Sequence, residues 1–278
     1  MRGAIIDVGS YTFHTIVADV DEHGIRRTLF EEKTYKRSAS ALEQLISKTL
    51  VRGPSGIRVI ATAPEANIDA VCARHALDVE RLSGEERARL SWFGVSTELA
   101  ASHGELAVID LGGGSLELAT GADEVVHATS LPLGVLALRG CTLTEVRQRI
   151  HQAAPAAAAI RACAPDTIAV TSGTARALVR LGRRLGVIAD LQRHVGTRTF
   201  ADLARRLAPL DATALAKFGV PVSRRDTIAN GAVVLTGILE LLGSPVVYVA
   251  ASAMREGALV ELARRRRSMP LLMAAGMR

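Results

Sequence analysis

Aromatic side chains make up only 3% of this 278-residue chain. The core must therefore be built from Ala, Val, Leu and Ile, as in many α/β proteins, and no aromatic platform for nucleic-acid bases is indicated. The three cysteines, Cys72, Cys141 and Cys163, are far apart and lack metal-type spacing, so we expect buried free thiols in a reducing compartment. No stretch reaches the ~18 uninterrupted apolar residues of a membrane-spanning helix, and the N-terminus lacks signal-peptide features. We therefore expect a soluble, cytoplasmic protein with no membrane partner.

The charge balance is basic, with 34 Lys and Arg against 28 Asp and Glu and a formal net charge of +6. Such an excess favours anionic ligands but does not choose among them. Part of it is the run Arg264–Arg267. This run indicates either a solvated helix end, where cations complement the helix dipole, or an anion-docking patch.

The same opening pattern occurs twice along the chain. Asp7-Val8-Gly9-Ser10 lies between apolar strands at 3–8 and 13–20, and Asp110–Ser115 lies between strands at 106–111 and 116–120. This repetition indicates duplicated domains facing each other across a cleft, which we place at 1–103 and 104–278. The hydrophobic periodicity predicts further strands at 25–35, 57–62, 78–82, 125–131, 167–171 and 246–250. It predicts helices at 39–50, 68–76, 85–101, 144–163, 175–185, 200–207, 212–217, 224–242 and 253–267.

A glycine-rich turn between two strands is suited to binding phosphate. Without a Cβ atom the backbone can approach a ligand closely, and successive N–H groups converge on an anion. The candidate phosphate-binding residues are Gly9, Ser10, Tyr11 and Thr12 in the first turn and Gly112, Gly113, Gly114 and Ser115 in the second. Asp7 and Asp110 precede these turns and are candidate Mg²⁺ ligands, because Mg²⁺ prefers carboxylates together with phosphate oxygens.

The two turns resemble the phosphate loops of a known family. DVGSYTFH and VIDLGGGSLEL are similar to the loops of the Ppx/GppA family of exopolyphosphatases and guanosine pentaphosphate phosphohydrolases, within the acetate and sugar kinase/heat-shock chaperone/actin superfamily. Five further segments resemble motifs of the same family: LSGEERARLSWFGV, SLPLGVLAL, VTSGTARAL, SRRDTIANGAVVL and SAMREGAL. The resemblance covers nearly the whole chain.

The resemblance implies an α/β fold of two actin-like (ribonuclease H-like) domains, with mixed five-stranded sheets flanked by helices and an active cleft between them. It implies Mg²⁺-dependent hydrolysis of a terminal phosphoanhydride in polyphosphate or guanosine pentaphosphate. It also implies a possible homodimer and no specific nucleic-acid partner. Ser172, Gly173 and Thr174 match a further turn of the family and join the candidate phosphate-binding set, although this turn would equally serve as a helix N-cap.

The chain departs from the family pattern at the position of the general base. With the flanking segments in register, that position is Arg87, and Glu86 lies one residue earlier. One helical residue rotates a side chain by about 100°, so Glu86 does not simply replace the missing carboxylate. Glu117 matches a family glutamate, and we take Glu117 and Glu86 as the candidate catalytic residues. The segment 61–66 also lacks the arginine that the family carries there, and Tyr11 replaces an amide.

Three functions remain open at this point. The first is a Mg²⁺-dependent phosphoanhydride hydrolase, the second a catalytically impaired protein that binds polyphosphate or a nucleotide, and the third a kinase-like ATPase. His14 is interpreted either as a phosphate contact or as a hydrogen-bonded strand residue. We expect Arg255 and Glu256 to make structural contacts at a helix end. Arg176 is interpreted as a contact to an anion held at the start of the helix, unless Ser172 or Thr174 serves there only as an N-cap.

Overall fold

The computed structural model describes residues 1–62, 67–100 and 103–275, with side chains up to residue 267. The segment 61–66, where the sequence predicts a departure from the family pattern, is therefore described only at its first two positions, Ala61 and Thr62. The chain forms two compact units, one of residues 1–83 with the segment from 254 onward, and one of residues 84–253.

This division differs from the predicted boundary between residues 103 and 104. The physical reason is the packing of two helices. Helix α3 (Gly84–Glu98) packs on the sheet of the second unit, and helix α10 (Met254–Ala275) packs on the sheet of the first unit. Hydrophobic periodicity identifies both helices but does not reveal which sheet each helix covers.

The first unit is built on a five-stranded mixed sheet with the strand order β3-β2-β1-β4-β5. Its strands are β1 (Arg2–Val8), β2 (Phe13–Asp21), β3 (Gly24–Thr34), β4 (Gly56–Ala61) and β5 (Val79–Arg81). Its other helices are α1 (Ala39–Leu50) and α2 (Ile68–Ala73). Ile6 and Val8 of β1 pack with Leu42 and Leu45 of α1, so these helices cover the sheet face opposite α10.

The second unit is built on a six-stranded mixed sheet with the strand order β10-β11-β9-β6-β7-β8. Its strands are β6 (Leu106–Leu111), β7 (Leu116–Gly121), β8 (Val125–Leu131), β9 (Thr167–Thr171), β10 (His194–Gly196) and β11 (Val246–Val249). Its helices besides α3 are α4 (Leu143–Gln152), α5 (Ala154–Ala162), α6 (Gly173–Arg184), α7 (Thr197–Leu207), α8 (Ala212–Lys217) and α9 (Ile228–Leu242).

The two sheets share one topology, as the repeated sequence pattern predicts. β1 pairs antiparallel with β2 and parallel with β4, and β6 pairs antiparallel with β7 and parallel with β9. The outer strands follow the same rule, because β3 and β8 are antiparallel to their neighbours while β5 and β11 are parallel to theirs. The second sheet differs from the predicted five strands by the additional edge strand β10.

Two predicted helices are interrupted. The stretch 144–163 divides into α4 and α5 at Ala153, and Pro155 lies in the first turn of α5. Proline fits a first turn because the N–H that it lacks has no partner inside the helix there. The stretch 224–242 becomes a 3₁₀ turn, Val222–Arg224, followed by α9. None of the helices in the described part of the chain is long and apolar enough to cross a bilayer.

Alternation along β6 divides its side chains between two cores. Leu106 and Val108 pack with Trp92 of α3, whereas Ala107 and Ile109 pack in the larger core on the other side of the sheet. Side chains two residues apart project from the same face of a strand. Position 110 therefore belongs to the face that α3 covers, and this places the candidate site.

Candidate active site

The two glycine turns have the same geometry. Each joins its strands through four residues, and in each the first glycine donates its N–H to the carbonyl of the fourth residue: Gly9 to Thr12 at 3.0 Å and Gly112 to Ser115 at 2.9 Å. A Cβ atom at Gly9 or Gly112 would lie 3.0 or 3.1 Å from that carbonyl oxygen. Any other residue at either position would therefore push on this carbonyl oxygen, so close approach of the backbone favours glycine at both. The predicted equivalence of the two turns is confirmed within each unit.

Two carboxylates lie together at the second turn. Asp110 and Glu117 are directly opposite each other in the β6–β7 pair, so both side chains project from the face that α3 covers. Helix α3 contacts both of them. Ser91 Oγ donates to Asp110 Oδ2 at 2.6 Å, and Arg87 Nη2 lies 3.0 Å from Glu117 Oε1.

Glu117 is held by three donors that converge on one oxygen. Ser115 Oγ donates to its Oε1 at 2.5 Å and Ser130 Oγ at 3.1 Å, in addition to Arg87. Arg87 Nη2 also donates to Ser115 Oγ at 3.1 Å. The carboxylate is 6% exposed. These contacts fix its position beside the glycine turn and leave its second oxygen, Oε2, outside the three-donor set.

The pKa of Glu117 is raised. Burial of the charged form is the main cause, and the neighbouring negative charge of Asp110 adds to it. The positive charge of Arg87 and the two serine hydroxyls act in the opposite direction without cancelling the effect. A carboxylate with a raised pKa in a polar cluster is a typical feature of a general base, because proton transfer is most efficient when the pKa approaches the working pH.

Gly134, a residue that sequence reasoning did not assign to the site, supports the second turn. Val135 N–H donates to the Gly112 carbonyl at 3.1 Å, and Leu136 N–H donates to the Gly113 carbonyl at 2.8 Å. A Cβ atom at Gly134 would lie 2.2 Å from both Gly114 C and Ser115 N. From the sequence, the Leu-Pro-Leu-Gly segment is identified only by its resemblance to a family motif. Its physical role is to let a second backbone pack directly on the turn.

The first turn has a different set of partners. Arg255 Nη1 of α10 lies 3.4 Å from Asp7 Oδ2, so the expected structural contact of Arg255 falls on a predicted metal ligand. His14, opposite Asp7 in the sheet, is buried, and its Nε2 lies 2.8 Å from Glu31 Oε1. His14 is therefore a hydrogen-bonded strand residue, one of its two predicted interpretations. Tyr11 contacts the ring of Tyr35 with its own ring.

The third turn acts as a helix cap. Ser172 Oγ accepts the N–H groups of Thr174 and Ala175 at 3.1 and 3.0 Å, and Ser172 has a φ of 131°. Arg224 Nη1 donates to Thr174 Oγ1 at 3.3 Å, and a Cβ atom at Gly173 would lie 2.2 Å from the guanidinium. The capping alternative is thus observed for Ser172. Phosphate binding by Ser172, Gly173 and Thr174 stays a prediction, and Arg224 brings an unpredicted positive charge to this turn.

Glu86 and Arg87 face different surroundings, as their helical spacing predicts. Glu86 is exposed in the first turn of α3, while Arg87 reaches the second glycine turn. Arg176, the other predicted anion contact, donates to the Ala251 carbonyl at 2.9 Å. Of the two candidate catalytic residues, Glu117 therefore lies beside the second turn and Glu86 does not. Arg87 occupies the position that the motif register predicts for the family base.

Mg²⁺ fits Asp110 better than Asp7. The described residues contain no group of three or more His, Cys, Asp and Glu side chains that could hold a metal ion. Mg²⁺ does not need such a group, because it keeps several waters and takes one or two carboxylates together with substrate phosphates. Asp110 has Glu117 opposite it, and a cation would relieve the repulsion between the two carboxylates. Asp7 is already paired with the positive charge of Arg255, which opposes a cation there.

Comparison with known proteins agrees with the resemblance. The model of the Ppx/GppA phosphatase family matches residues 15–266. Exopolyphosphatase 1 of Mycobacterium tuberculosis is 28% identical over 92% of this chain and 87% of its own length. The guanosine-5'-triphosphate,3'-diphosphate pyrophosphatase of Aeromonas hydrophila is 30% identical over 91% of this chain, which spans 58% of that relative.

The chain belongs to the Ppx/GppA phosphatase family. The solved structure of the Aquifex aeolicus Ppx/GppA enzyme matches with a TM-score of 0.76 and 20% identity, covering 94% of this chain and 99% of that one. This match confirms the predicted two-domain actin-like fold. Membership of the family supports a phosphatase activity for this chain.

Proposed function

We propose that this protein is a Mg²⁺-dependent phosphoanhydride hydrolase that releases the terminal phosphate of polyphosphate or guanosine pentaphosphate. The observation that carries the proposal is the position of Glu117, a buried carboxylate with a raised pKa beside the Gly112–Ser115 turn. The names of the mycobacterial and Aeromonas relatives support the two substrate classes.

In the proposed reaction the N–H groups of Gly113, Gly114 and Ser115 bind the terminal phosphoryl group. Asp110 would hold Mg²⁺, which neutralises charge on the phosphate oxygens when it is bound. Glu117 Oε2 accepts a proton from water as the water oxygen forms a bond to phosphorus. The bridging oxygen–phosphorus bond breaks, and the shortened chain leaves with the electron pair. Positioning and charge neutralisation supply most of the rate enhancement in such transfers.

The raised pKa of Glu117 sets the pH dependence of the proposed reaction. A general base works only in its deprotonated form, so the rate rises as pH increases through the pKa of the free enzyme's base. Without a metal ion the pKa is raised above the ordinary range for a glutamate, and Mg²⁺ at Asp110 would lower it by neutralising the adjacent negative charge. The pH profile of kcat/KM tests the assignment: the rise should be lost in Glu117→Gln, and a rise that persists in that variant contradicts the assignment of Glu117.

The proposed function is tested with purified protein, Mg²⁺ and three substrates: long-chain polyphosphate, guanosine pentaphosphate and ATP. Phosphate release and binding are both measured, for the wild type, Glu117→Gln and the exposed control Glu124→Gln. Release from polyphosphate or pentaphosphate that falls in Glu117→Gln and persists in Glu124→Gln supports the proposal. Transfer of phosphate from ATP to an acceptor would instead identify a kinase-like ATPase.

A second function, a polyphosphate- or nucleotide-binding regulator without turnover, is favoured by one observation. The Arg87 guanidinium lies 3.0 Å from Glu117 Oε1. An ion pair of this kind stabilises the deprotonated carboxylate and makes it a weaker base. Tight, salt-sensitive binding with no release of phosphate from any substrate would identify this function in the same assay.

A further inference from the structure

Two of the three tyrosines of the chain lie together beside the first glycine turn. The ring centroids of Tyr11 and Tyr35 are 5.8 Å apart, and the rings are edge to face with an interplanar angle of 84°. Tyr11 belongs to the turn itself, and Tyr35 directly follows β3. Pairing of Phe13 with Thr34 brings both to one end of the sheet. In a chain with 3% aromatic residues, this pairing at a candidate phosphate turn needs an explanation.

The tyrosine pair has one exposed ring, that of Tyr35, and lies beside positively charged side chains. Tyr35 is 51% exposed, so its ring is not part of the core of the first unit. The Lys33 ammonium group lies 5.1 Å from the centre of the Tyr35 ring, and Lys36 is an exposed neighbour along the chain. The Arg37 guanidinium lies 6.0 Å from the ring of Phe13, the first residue of β2. Aromatic faces beside cations are the combination that binds the bases of phosphorylated nucleotides, through stacking and charge neutralisation.

We propose that Tyr11 and Tyr35 form a nucleobase subsite next to the first phosphate turn, which selects nucleoside polyphosphates over linear polyphosphate. The proposal rests on the proposed function, because its ligands are the phosphate chains of that function. It also requires that phosphates lie at the predicted binding residues Gly9–Thr12, so that the base reaches the tyrosines. A linear polyphosphate has no ring and gains nothing from the aromatic faces. The subsite therefore changes the relative affinity for the two ligand classes, and not the affinity for phosphate itself.

The expected effect follows from the strength of stacking. Removing one aromatic side chain that stacks on a base weakens binding by roughly 5- to 150-fold. The same change leaves the dissociation constant of an inorganic anion within about twofold, since no ring contact is lost and no charge is removed.

The test compares GTP with inorganic tripolyphosphate, each measured by calorimetry in the presence of Mg²⁺. The two probes carry the same number of phosphates and differ in the nucleoside. The variants are Tyr35→Ala and Tyr35→Phe, because Tyr11 is itself a candidate phosphate-binding residue. Phe218→Ala is the control at another partly exposed aromatic residue. Thermal unfolding of each variant confirms that the fold is kept.

We expect Tyr35→Ala to weaken GTP binding within the stated range while tripolyphosphate binding is kept, and Tyr35→Phe and Phe218→Ala to resemble the wild type. Equal weakening of both probes would overturn the subsite, because it would show that the tyrosines contact phosphate. Wild-type protein that binds tripolyphosphate as tightly as GTP would also overturn it, while leaving the proposed function intact. Binding of neither probe would overturn the subsite, whereas the proposed function is decided separately by phosphate release from long-chain polyphosphate and guanosine pentaphosphate.

Discussion

Replacement of Gly134 by alanine tests the role of backbone packing at the second turn. The new Cβ atom would lie 2.2 Å from Gly114 C and Ser115 N and 2.3 Å from Gly113 O. Real Cβ atoms essentially never come within 3.0 Å of another heavy atom, so the turn and the backbone at Gly134 must separate by at least about 0.8 Å. The neighbouring atoms are backbone, so no flexible side chain can absorb the shift. We expect the turn to take up part of this shift, together with the N–H groups that we assign to the phosphoryl group.

A displacement of about 1 Å at a reacting group costs on the order of 10²-fold in rate. We expect Gly134→Ala to lower kcat/KM for phosphate release by about that factor. Gly196→Ala is the matched control, because its Cβ atom would meet nothing closer than 3.7 Å and its φ of −66° suits alanine. Both variants are first checked for cooperative thermal unfolding. A folded Gly134→Ala protein with activity within a few-fold of the wild type would refute the reasoning.

Three further predictions concern single charged side chains. Arg87→Glu should raise the rate of phosphate release, because it restores a carboxylate at the base position predicted from the motif register. No gain over Arg87→Gln would mean that the register is wrong or that the base lies elsewhere. Arg58→Ala should lower the free energy of unfolding by about 1.5–3 kcal/mol, because it removes a buried guanidinium that donates to two partly exposed carboxylates, Glu80 and Glu261. Urea unfolding should show little change for exposed Arg81→Ala, and equal losses would contradict the argument. Burial raises the pKa of Glu98, but hydrogen bonds from the Ser252 and Ala251 N–H groups outweigh it, so the pKa is lowered. The stability that Glu98 supplies is present above its ordinary pKa and is lost as the pH falls through the lowered value. Urea unfolding of Glu98→Gln should therefore lack this loss of stability at acid pH. A pH dependence equal to that of the wild type would contradict this role of Glu98.

Local patterns in the sequence predicted most of the elements that position the site. Strand alternation and the Asp-x-Gly turns identified both hairpins, because a half-buried strand has a period of two and a tight turn requires glycine. The 100° rotation between neighbouring helical residues separated Glu86 from Arg87, and the structure places Glu86 in an exposed position and Arg87 at the turn. These features depend on residues close together along the chain.

The features that were missed depend on contacts between distant residues. The ion pair between Arg87 and Glu117 joins positions 30 residues apart, and the packing of Gly134 on the second turn follows from the fold and not from local propensity. Strand β10 has only three residues, too few for a periodic signal. The break between α4 and α5 was hidden by an alanine-rich stretch with high helix propensity.

The rate of phosphate release in a single turnover tests the central claim most directly. Excess enzyme is mixed with Mg²⁺ and polyphosphate or guanosine pentaphosphate, and the wild type is compared with Glu117→Gln and Glu124→Gln. Loss of a general base lowers the chemical step by roughly 10²- to 10⁴-fold, so Glu117→Gln should fall into that range while Glu124→Gln keeps the wild-type rate. Equal rates for the wild type and Glu117→Gln on a substrate that both bind would contradict the account.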